Sequence, residues 1–351
     1  MCWAWFIPEK GLSPENAAGS IEVTDLAGRT VHLDGPARRV MMLTPSLWHY
    51  LAVEMTGDHL LMLAPYMKKE VDESVFGKIY PELDDKPIMT VDRKGSAPFN
   101  IEETMMEAPD LVFVWEYLSA PYVRVGIPGL VVIRSDKGDK ARLYEMLAGV
   151  TGKAGRVERL WESRDRRMAL AAGLLEPASG PLSFVVLAND NFSLWSGEEY
   201  QRFNESAAMA NGVNVAVPSR AVNGPLSMEA LLALDPDVLL INFYNLAQNT
   251  LTVEGVMGDP RLAGLKAVLG RRVYHMPMGA MRLEGPVEEP LLMLWLAQIF
   301  NQRALDGYDL RDDIRQTFIE LFNYHMSDDE IDTWLRYNEN INSANHQIFG
   351  R

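Results

Sequence analysis

The sequence predicts an α/β protein of two similar lobes, and two lobes imply a cleft between them. The main observation is a pattern that occurs twice: residues 102–115 read EETMMEAPDLVFVW, and residues 229–242 read EALLALDPDVLLIN. In each copy a Glu is followed seven residues later by Pro-Asp and then by an apolar run typical of a buried strand. The offset of 127 residues between the copies is too long for a solenoid repeat, so the pattern indicates two lobes.

The alternation of strands with helices is the second observation, and it indicates a mostly parallel sheet. After a lead-in rich in Pro, Gly and Ser, residues 21–33 alternate apolar and polar side chains around Ala27-Gly28, which predicts a β-hairpin. The LWHYLAVEM segment is predicted to be helical and PYMKK to be a loop. Apolar runs predict strands at 40–43, 60–64, 111–115 and 130–133.

A long helix is the third observation. From Asp136 to about Leu175 the pattern is helical, and AGRVERLWESRDRRMALAAGLL forms one stretch of about 22 residues, which would span about 33 Å. Pro177, Gly180 and Pro181 end it. The second half of the chain then predicts strands at 183–188, 238–241 and 271–277 and helices up to Gly212, at 260–269, at 287–300 and within 307–340.

These elements predict five segments along the chain of 351 residues, a length for which two domains are the usual expectation. They are a disordered lead-in (1–20), an N-terminal α/β lobe (21–150), a bridging helix (151–177), a C-terminal α/β lobe (180–300) and a C-terminal helical extension (301–351).

Composition excludes several classes of function. The chain is 48% hydrophobic and 23% charged, as is usual for a globular protein. A net charge of -15 argues against binding to nucleic acid or to anionic membranes, both of which need basic patches. The single cysteine, Cys2, permits neither an internal disulfide nor a cysteine-based metal site. No window of the sequence approaches the ~20 apolar residues of a membrane span.

The first residues, MCWAWFIPEKG, are apolar but too short for a complete secretory signal. Two interpretations of Cys2 are open. In the first, Cys2 is a lipid-anchored residue at the end of a clipped leader. In the second, Cys2 is an ordinary residue near the boundary of the sequence. The small residues that should precede a lipid-anchored cysteine are absent, which favours the second interpretation.

Seven segments, in this order, carry a resemblance to a known family. They are IEVTDLAGRTVHLDGPARRVMML, EAPDLVFVW, GIPGLVVI, LAGVTGKAGRVERL, GVNVA, LSMEALLALDPDVLLIN and LKAVLGRRVYHMP. From about residue 21 onward the chain resembles the substrate-binding proteins of bacterial ABC importers for iron–siderophore, haem, cobalamin and related metal chelates. The resemblance implies two Rossmann-like lobes bridged by a single long α-helix, with a ligand cleft between the lobes.

The resemblance also implies a function. It predicts a monomeric, non-catalytic protein, periplasmic or otherwise extracytoplasmic, that captures a metal chelate and delivers it to an ABC transporter permease. An iron complex is the favoured ligand, and a cobalt or nickel complex is an alternative. Two other functions stay open: a metal chelatase-like enzyme of similar architecture, and a receptor for a non-metal organic solute. The sequence contains no HxxxH or HxH cluster, which favours a pre-chelated metal over a naked ion.

Glu102 and Glu229 match positions at which the family presents one acidic side chain per lobe to arginine pockets of the permease. Two carboxylates held apart by the fold suit such bivalent docking. For a single Glu, simple stabilisation of the first turn of a helix would be the better explanation. The matched pair favours docking, and Glu103 is the alternative to Glu102 in the first lobe.

The ligand groove is expected where loops follow strands. These loops supply aromatic walls and a few polar groups, with Trp115 aligned to Asn242 by the repeat. Core packing is the alternative for the aromatics, above all for Trp48. Arg282 either holds an anionic chelate or pairs with Glu284, and His49 either ligates a metal or caps a helix. The predicted ligand-binding residues are Trp48, His49, Tyr50, Tyr66, Trp115, Tyr117, Asn189, Phe192, Trp195, Asn242, Tyr244, Asn245 and Arg282.

Overall fold

The chain divides into two compact units. The computed structural model describes residues 19–90, 99–127, 129–133, 140–174, 180–187, 201–216, 227–242, 250–279, 281, 283–301 and 307–350. The first unit comprises Met1–Pro65, Asp85–Arg134 and Lys140–Arg159, and the second comprises Tyr66–Asp84, Ser135–Asp139 and Leu160–Arg351. The lobe limits of the sequence analysis stay predictions.

Short strands and helices alternate along most of the described chain. The strands are β1 (Ile21–Thr24), β2 (Thr30–Leu33), β3 (Val40–Met42), β4 (Leu60–Met62), β5 (Leu111–Trp115), β6 (Leu130–Ile133), β7 (Leu182–Leu187), β8 (Gly212–Asn214), β9 (Val238–Ile241) and β10 (Val273–His275). The helices are α1 (Leu47–Glu54), α2 (Pro65–Glu73), α3 (Val75–Ile79), α4 (Ile101–Met106), α5 (Glu116–Val125), α6 (Lys140–Thr151), α7 (Ala154–Leu174), α8 (Gln201–Met209), α9 (Met228–Leu234), α10 (Val253–Gly258), α11 (Lys266–Leu269), α12 (Gly285–Phe300), α13 (Leu310–Phe322) and α14 (Asp328–Leu335). Pro81–Leu83 and His346–Phe349 form 3-10 turns.

In the described part of each unit, four strands form one parallel sheet, and the two sheets have the same topology. The strand order is β4-β3-β5-β6 in the first unit and β10-β9-β7-β8 in the second. In both, the first strand in chain order lies between the second and the third, and the fourth lies beyond the third. The predicted α/β class is confirmed, because the two four-stranded sheets are parallel. The predicted hairpin is also confirmed, since β1 pairs with β2 in antiparallel fashion.

The repeated sequence pattern folds in the same way in both units. In the first, α4 ends before Ala108, whose φ of 43° is left-handed, and Pro109-Asp110 leads into β5. In the second, α9 ends at Asp235, whose φ of 40° is also left-handed, and Pro236-Asp237 leads into β9. A left-handed residue at the end of a helix reverses the chain direction, and a proline after it prevents the helix from continuing. The spacing of 127 residues therefore corresponds to the same turn.

The aspartate of each turn binds the beginning of the neighbouring strand. The Asp110 carboxylate accepts hydrogen bonds from the backbone N–H groups of Arg38 and Arg39, both at 2.9 Å, just before β3. The Asp237 carboxylate accepts hydrogen bonds from the backbone N–H and the hydroxyl of Ser183, at 2.9 and 2.6 Å, in β7. Each carboxylate thus fixes the register of the two central strands of its sheet.

Most predicted elements are confirmed, but two predicted loops are wrong. The PYMKK segment begins α2 rather than a loop, because Pro65 fits the first position of a helix and Met67 and Val71 are buried one turn apart. The groove prediction also places Trp115 and Tyr117 in a loop after a strand, which is wrong because β5 extends to Trp115 and α5 starts at Glu116. The helix predicted at 260–269 is limited to α11, and the helix α10 precedes it.

The long helix is confirmed as α7, and the boundary between the units falls within it, between Arg159 and Leu160. In the first unit, Nε of Arg156 donates to the Ala52 carbonyl at 2.9 Å. In the second unit, Nε of Arg164 lies 2.9 Å from Oε2 of Glu289, and Nε of Arg167 lies 3.0 Å from Oδ1 of Asp313. Arginine side chains therefore bind each part of α7 to the unit to which it belongs.

The C-terminal residues cover the edge strand β10 of the second sheet. The Asn340 side chain accepts from the His275 N–H at 2.7 Å and donates to the His275 carbonyl at 2.9 Å. Ser343 donates to the Val273 carbonyl through its hydroxyl, and the backbone N–H of Ala344 donates to the Arg271 carbonyl at 2.7 Å. These bonds satisfy backbone groups that an exposed edge strand would offer to other chains.

Segment 66–84 packs against the C-terminal helices of the same unit. The Phe76 ring in α3 lies edge-on to Phe322 of α13, with centroids 5.2 Å apart, and also contacts Phe318. Nζ of Lys78 lies 2.5 Å from the carboxylate of Glu330. The helical tail expected from the sequence is therefore part of the second unit's core rather than only a covering layer.

Two buried histidines lie where the C-terminal residues meet β10. Burial lowers the pKa of His275 to about 4, with a further contribution from the Arg336 charge, and burial lowers the pKa of His346 to about 3. Nε2 of His346 lies 3.3 Å from Nδ2 of Asn340. Both histidines are neutral in the folded protein at neutral pH, whereas in the unfolded chain they titrate near 6.5.

We predict that acid weakens the fold through these two histidines. Because the pKa values of both histidines are lowered in the folded protein, the unfolded chain binds more protons than the folded protein below pH 6.5. The contribution of the histidines to the free energy of unfolding is therefore complete above pH 6.5 and is lost as the pH falls toward 4. At pH 5 the loss is about 2 kcal/mol for each histidine. Urea unfolding at pH 7.5 and pH 5 measures the difference. His346→Gln should reduce the acid-dependent loss by roughly half, and an unchanged loss would contradict the prediction.

Candidate ligand-binding and docking sites

An aromatic pair lies at the carboxyl end of β5 in the first unit. Trp115 is the last residue of β5, and Tyr117 lies in the first turn of α5. Their rings are stacked, with centroids 6.3 Å apart and planes 19° from parallel. The Tyr117 side chain is 72% exposed, so the pair offers an aromatic surface to solvent. Such a surface at the carboxyl end of a parallel strand suits a planar or organic-coated ligand.

Three predicted ligand residues lie side by side on α1 and are all buried. Trp48 and Tyr50 are 1% and 0% exposed, and the Tyr50 ring packs against Phe113 with centroids 6.2 Å apart. Burial raises the pKa of Tyr50, and the charge of Glu54 raises it further. Nδ1 of His49 lies 3.0 Å from the Tyr144 hydroxyl. As placed, the three side chains belong to the core of the first unit.

Two further predicted residues lie in the second unit. Tyr66 lies in the first turn of α2, where it is 38% exposed. Asn242 directly follows β9 and is 3% exposed, and its N–H donates to the Leu187 carbonyl at 3.0 Å. The repeat aligns Asn242 with Trp115: Trp115 is the last residue of β5, and Asn242 is the first residue after β9. The other predicted ligand residues lie outside the described residues: Asn189, Phe192, Trp195, Tyr244, Asn245 and Arg282.

A buried glutamate organises the residues that follow β10 in the second unit. Glu288, in the first turn of α12, is 0% exposed, and its Oε2 accepts hydrogen bonds from the backbone N–H groups of Met281 and Leu283, both at 3.0 Å. Gly279 packs directly on this carboxylate, since a Cβ there would lie 2.1 Å from Oε2. Glu288 is not among the predicted site residues. Its signal was an acidic residue among the apolar residues of α12.

The docking candidates Glu102 and Glu229 occupy the same position in the two copies of the repeat. Each is exposed and lies two residues after the N-cap of its helix, Asn100 for α4 and Ser227 for α9. A hydrogen bond from the Ser227 side chain lowers the pKa of Glu229. The neighbouring Glu103 accepts a hydrogen bond from the Thr90 N–H at 2.9 Å. Glu103 is thus engaged in its own fold, which favours Glu102 as the outward carboxylate.

Among the described residues no group of three or more His, Cys, Asp or Glu side chains is arranged to hold a metal ion. No helix in the described part of the chain has the length and apolar character needed to cross a membrane. Met276 and Met281, near the residues that follow β10, are both 1% exposed and fill the core of the second unit.

Comparisons with solved structures identify the class of protein to which the fold is similar. A periplasmic solute-binding protein from Veillonella parvula is 25% identical, with a TM-score of 0.76 over 92% of this chain and 99% of that one. Helicobacter pylori CeuE in a nickel–histidine complex is 16% identical (TM-score 0.69; 90% and 99% covered). Haemophilus influenzae MolA, the molybdate-binding protein of an ABC transporter, is 18% identical (TM-score 0.68; 87% and 99% covered).

The predicted resemblance is therefore confirmed: the chain has the fold of the periplasmic solute-binding proteins of ABC transporters. The similarity to the Veillonella parvula solute-binding protein supports the predicted receptor function. No protein-family model matches the chain, and no curated protein does.

We predict that Glu288 and Gly279 are energetically coupled. Glu288→Ala should lower the free energy of unfolding by about 2–4 kcal/mol, because two buried N–H groups lose their acceptor and a cavity forms. Gly279→Ala should cost about 1–3 kcal/mol in the wild type, where the new methyl group meets the carboxylate. In the Glu288→Ala background the same change should cost little. Urea unfolding of the four proteins measures the coupling, and an equal cost of Gly279→Ala in both backgrounds would contradict it.

Proposed function

We propose that the chain is an extracytoplasmic solute receptor that captures a metal chelate and delivers it to the permease of an ABC importer. The observation that carries the proposal is similarity over nearly the whole chain to a periplasmic solute-binding protein. The protein acts as a monomer and has no catalytic step. It works in the periplasm or at the outer face of the membrane, and Cys2, which lies outside the described residues, is a candidate for lipid anchoring.

The ligand is a metal complex rather than a bare ion. The described residues contain no cluster of metal-ligating side chains, whereas the stacked Trp115–Tyr117 pair suits an organic chelator. Relatives of similar fold bind a nickel–histidine complex and molybdate. An iron complex is the first candidate for this chain, and a cobalt or nickel complex is the second. Trp48, His49 and Tyr50 are buried, so we propose that they support the groove from the core of the first unit. His49 is the candidate metal ligand of the three, and direct contact would require its side chain to leave the Tyr144 hydroxyl.

The ligand groove is completed by residues that follow the strands of the second unit. Asn242 directly follows β9 and is aligned by the repeat with Trp115, the last residue of β5, so a polar side chain in one unit corresponds to an aromatic side chain in the other. Tyr66 adds an exposed aromatic ring. The remaining members of the proposed set are Asn189, Phe192, Trp195, Tyr244, Asn245 and Arg282.

We predict that a single class of metal complex binds and that Trp115 contributes to its affinity. The protein is titrated with ferric siderophores, haem, cobalamin, nickel–histidine and cobalt chelates, and separately with free Fe³⁺ and Ni²⁺. One class of complex should quench the tryptophan fluorescence, with a Kd below about 10 μM. Trp115→Ala should weaken that binding by about 10-fold or more. Trp161→Ala, which removes a tryptophan stacked on Arg164 in α7, is the matched control and should leave the Kd unchanged. If no complex binds below about 10 μM, the receptor function is excluded.

We also predict that Glu102 and Glu229 act in delivery and not in capture. The double change to alanine should leave the ligand Kd unchanged and abolish ligand-dependent transport by the cognate permease, because both carboxylates are exposed at equivalent positions. Glu103→Gln is the matched control and should retain transport, since Glu103 binds Thr90. A loss of ligand binding in the double variant would contradict the docking role.

A further inference from the structure

The outer faces of α4 and α9 have the same pattern of exposed and buried residues, and this agreement is not limited to Glu102 and Glu229. Residues 101–110 and 228–237 have the same burial class at every position except the left-handed residue of the turn, Ala108 or Asp235. Thr104 and Leu231, at equivalent positions, face the interior with 1% and 0% exposure. The repeat therefore preserves which side of each helix contacts its own unit and which side contacts solvent.

On the solvent side, a large apolar side chain accompanies the glutamate in both copies. Met105 is 54% exposed and Leu232 is 41% exposed, and they are separated by the repeat offset. Each lies three residues after its glutamate, Glu102 or Glu229, so the carboxylate and the apolar group share one helix face. A single exposed apolar residue is normal on a protein surface. The same exposure at equivalent places in two units, with different residue types, is not explained by the packing of either unit.

Charge restricts the kind of partner that these faces suit. The segments 101–107 and 228–235 contain acidic residues and no Lys or Arg. A partner surface must therefore bring a cationic group to each glutamate. It must also bring an apolar hollow beside that group to cover the Met or Leu side chain. Because the surface occurs twice, the partner must present the same combination twice, as two equivalent subunits do.

We infer that Glu102 with Met105 and Glu229 with Leu232 form two equivalent two-point contacts with the two membrane subunits of the permease. The inference rests on the proposed receptor function and extends its docking role. Within each contact the two side chains have different tasks. The exposed carboxylate accelerates association and is screened by salt. The apolar side chain is desolvated only after contact, so it slows dissociation and is insensitive to salt.

Binding kinetics of the ligand-loaded protein with the cognate permease–ATPase complex in lipid nanodiscs test this division. Met105→Ser with Leu232→Ser should raise the dissociation rate about 10-fold at both 50 and 300 mM NaCl and leave the association rate and the ligand Kd unchanged. Glu102→Gln with Glu229→Gln should lower the association rate at 50 mM NaCl and remove most of its salt dependence. Leu269→Ser in α11 is the matched control, because Leu269 is 72% exposed and lies outside both copies of the repeat, and it should change nothing.

The outcomes separate this inference from the proposed function. If the serine variant dissociates at the wild-type rate while the glutamine variant still associates slowly, the apolar contact is excluded and the receptor function stands. If the wild-type protein binds ligand but not the permease complex, the delivery function itself is overturned. Sedimentation of the wild type and of the serine variant without permease measures whether the chain forms dimers. A wild-type dimer that the serine variant lacks would assign the surface to contact between two copies of the chain and overturn the inference.

Discussion

The bond between the turn aspartate and the beginning of the neighbouring strand determines much of each unit. Asp110 holds the two amides that precede β3, and Asp237 holds an amide and a hydroxyl in β7. Because each aspartate also starts the run into its own strand, β5 or β9, a single carboxylate sets how two central strands align. The ends of those strands, and hence the groups that follow them, are placed by the same bond. A helix, a turn and two strands thus depend on one side chain in each unit.

The sequence predicts elements well where a local pattern determines the structure. The apolar runs that became β6 and β9 have the predicted limits, since a parallel strand buried on both faces needs an unbroken run of Val, Ile and Leu. It fails where a proline has two meanings. The predicted loop PYMKK treats Pro65 as a loop residue, but Pro65 is the first residue of α2. Only the buried Met67 and Val71 show that the segment after Pro65 packs as a helix.

The candidate site is less predictable because burial depends on tertiary packing. Trp48 and Tyr50 follow a strand, as groove residues should, yet both are buried in the core. Trp115 occupies a similar place in the sequence and is stacked on an exposed tyrosine. Glu288 gives no local signal of its contacts, since the amides that it binds lie five and seven residues earlier in the chain. The spacing of residues in the sequence indicates the region of the candidate site, whereas the exposure of each side chain in that region depends on the folded structure.

The two copies of the repeat agree at one end of the strand and differ at the other. Before the strand, both copies have an exposed glutamate, an exposed apolar residue one turn later, a left-handed residue and Pro-Asp. At the carboxyl end, Trp115 in one copy corresponds to Asn242 in the other. A partner built from two equivalent subunits requires two equal surfaces, whereas a small ligand without internal symmetry requires unlike groups on its two sides. This pattern of agreement and divergence fits a protein that binds one asymmetric solute with residues that follow its strands and a two-fold partner with the outer faces of α4 and α9.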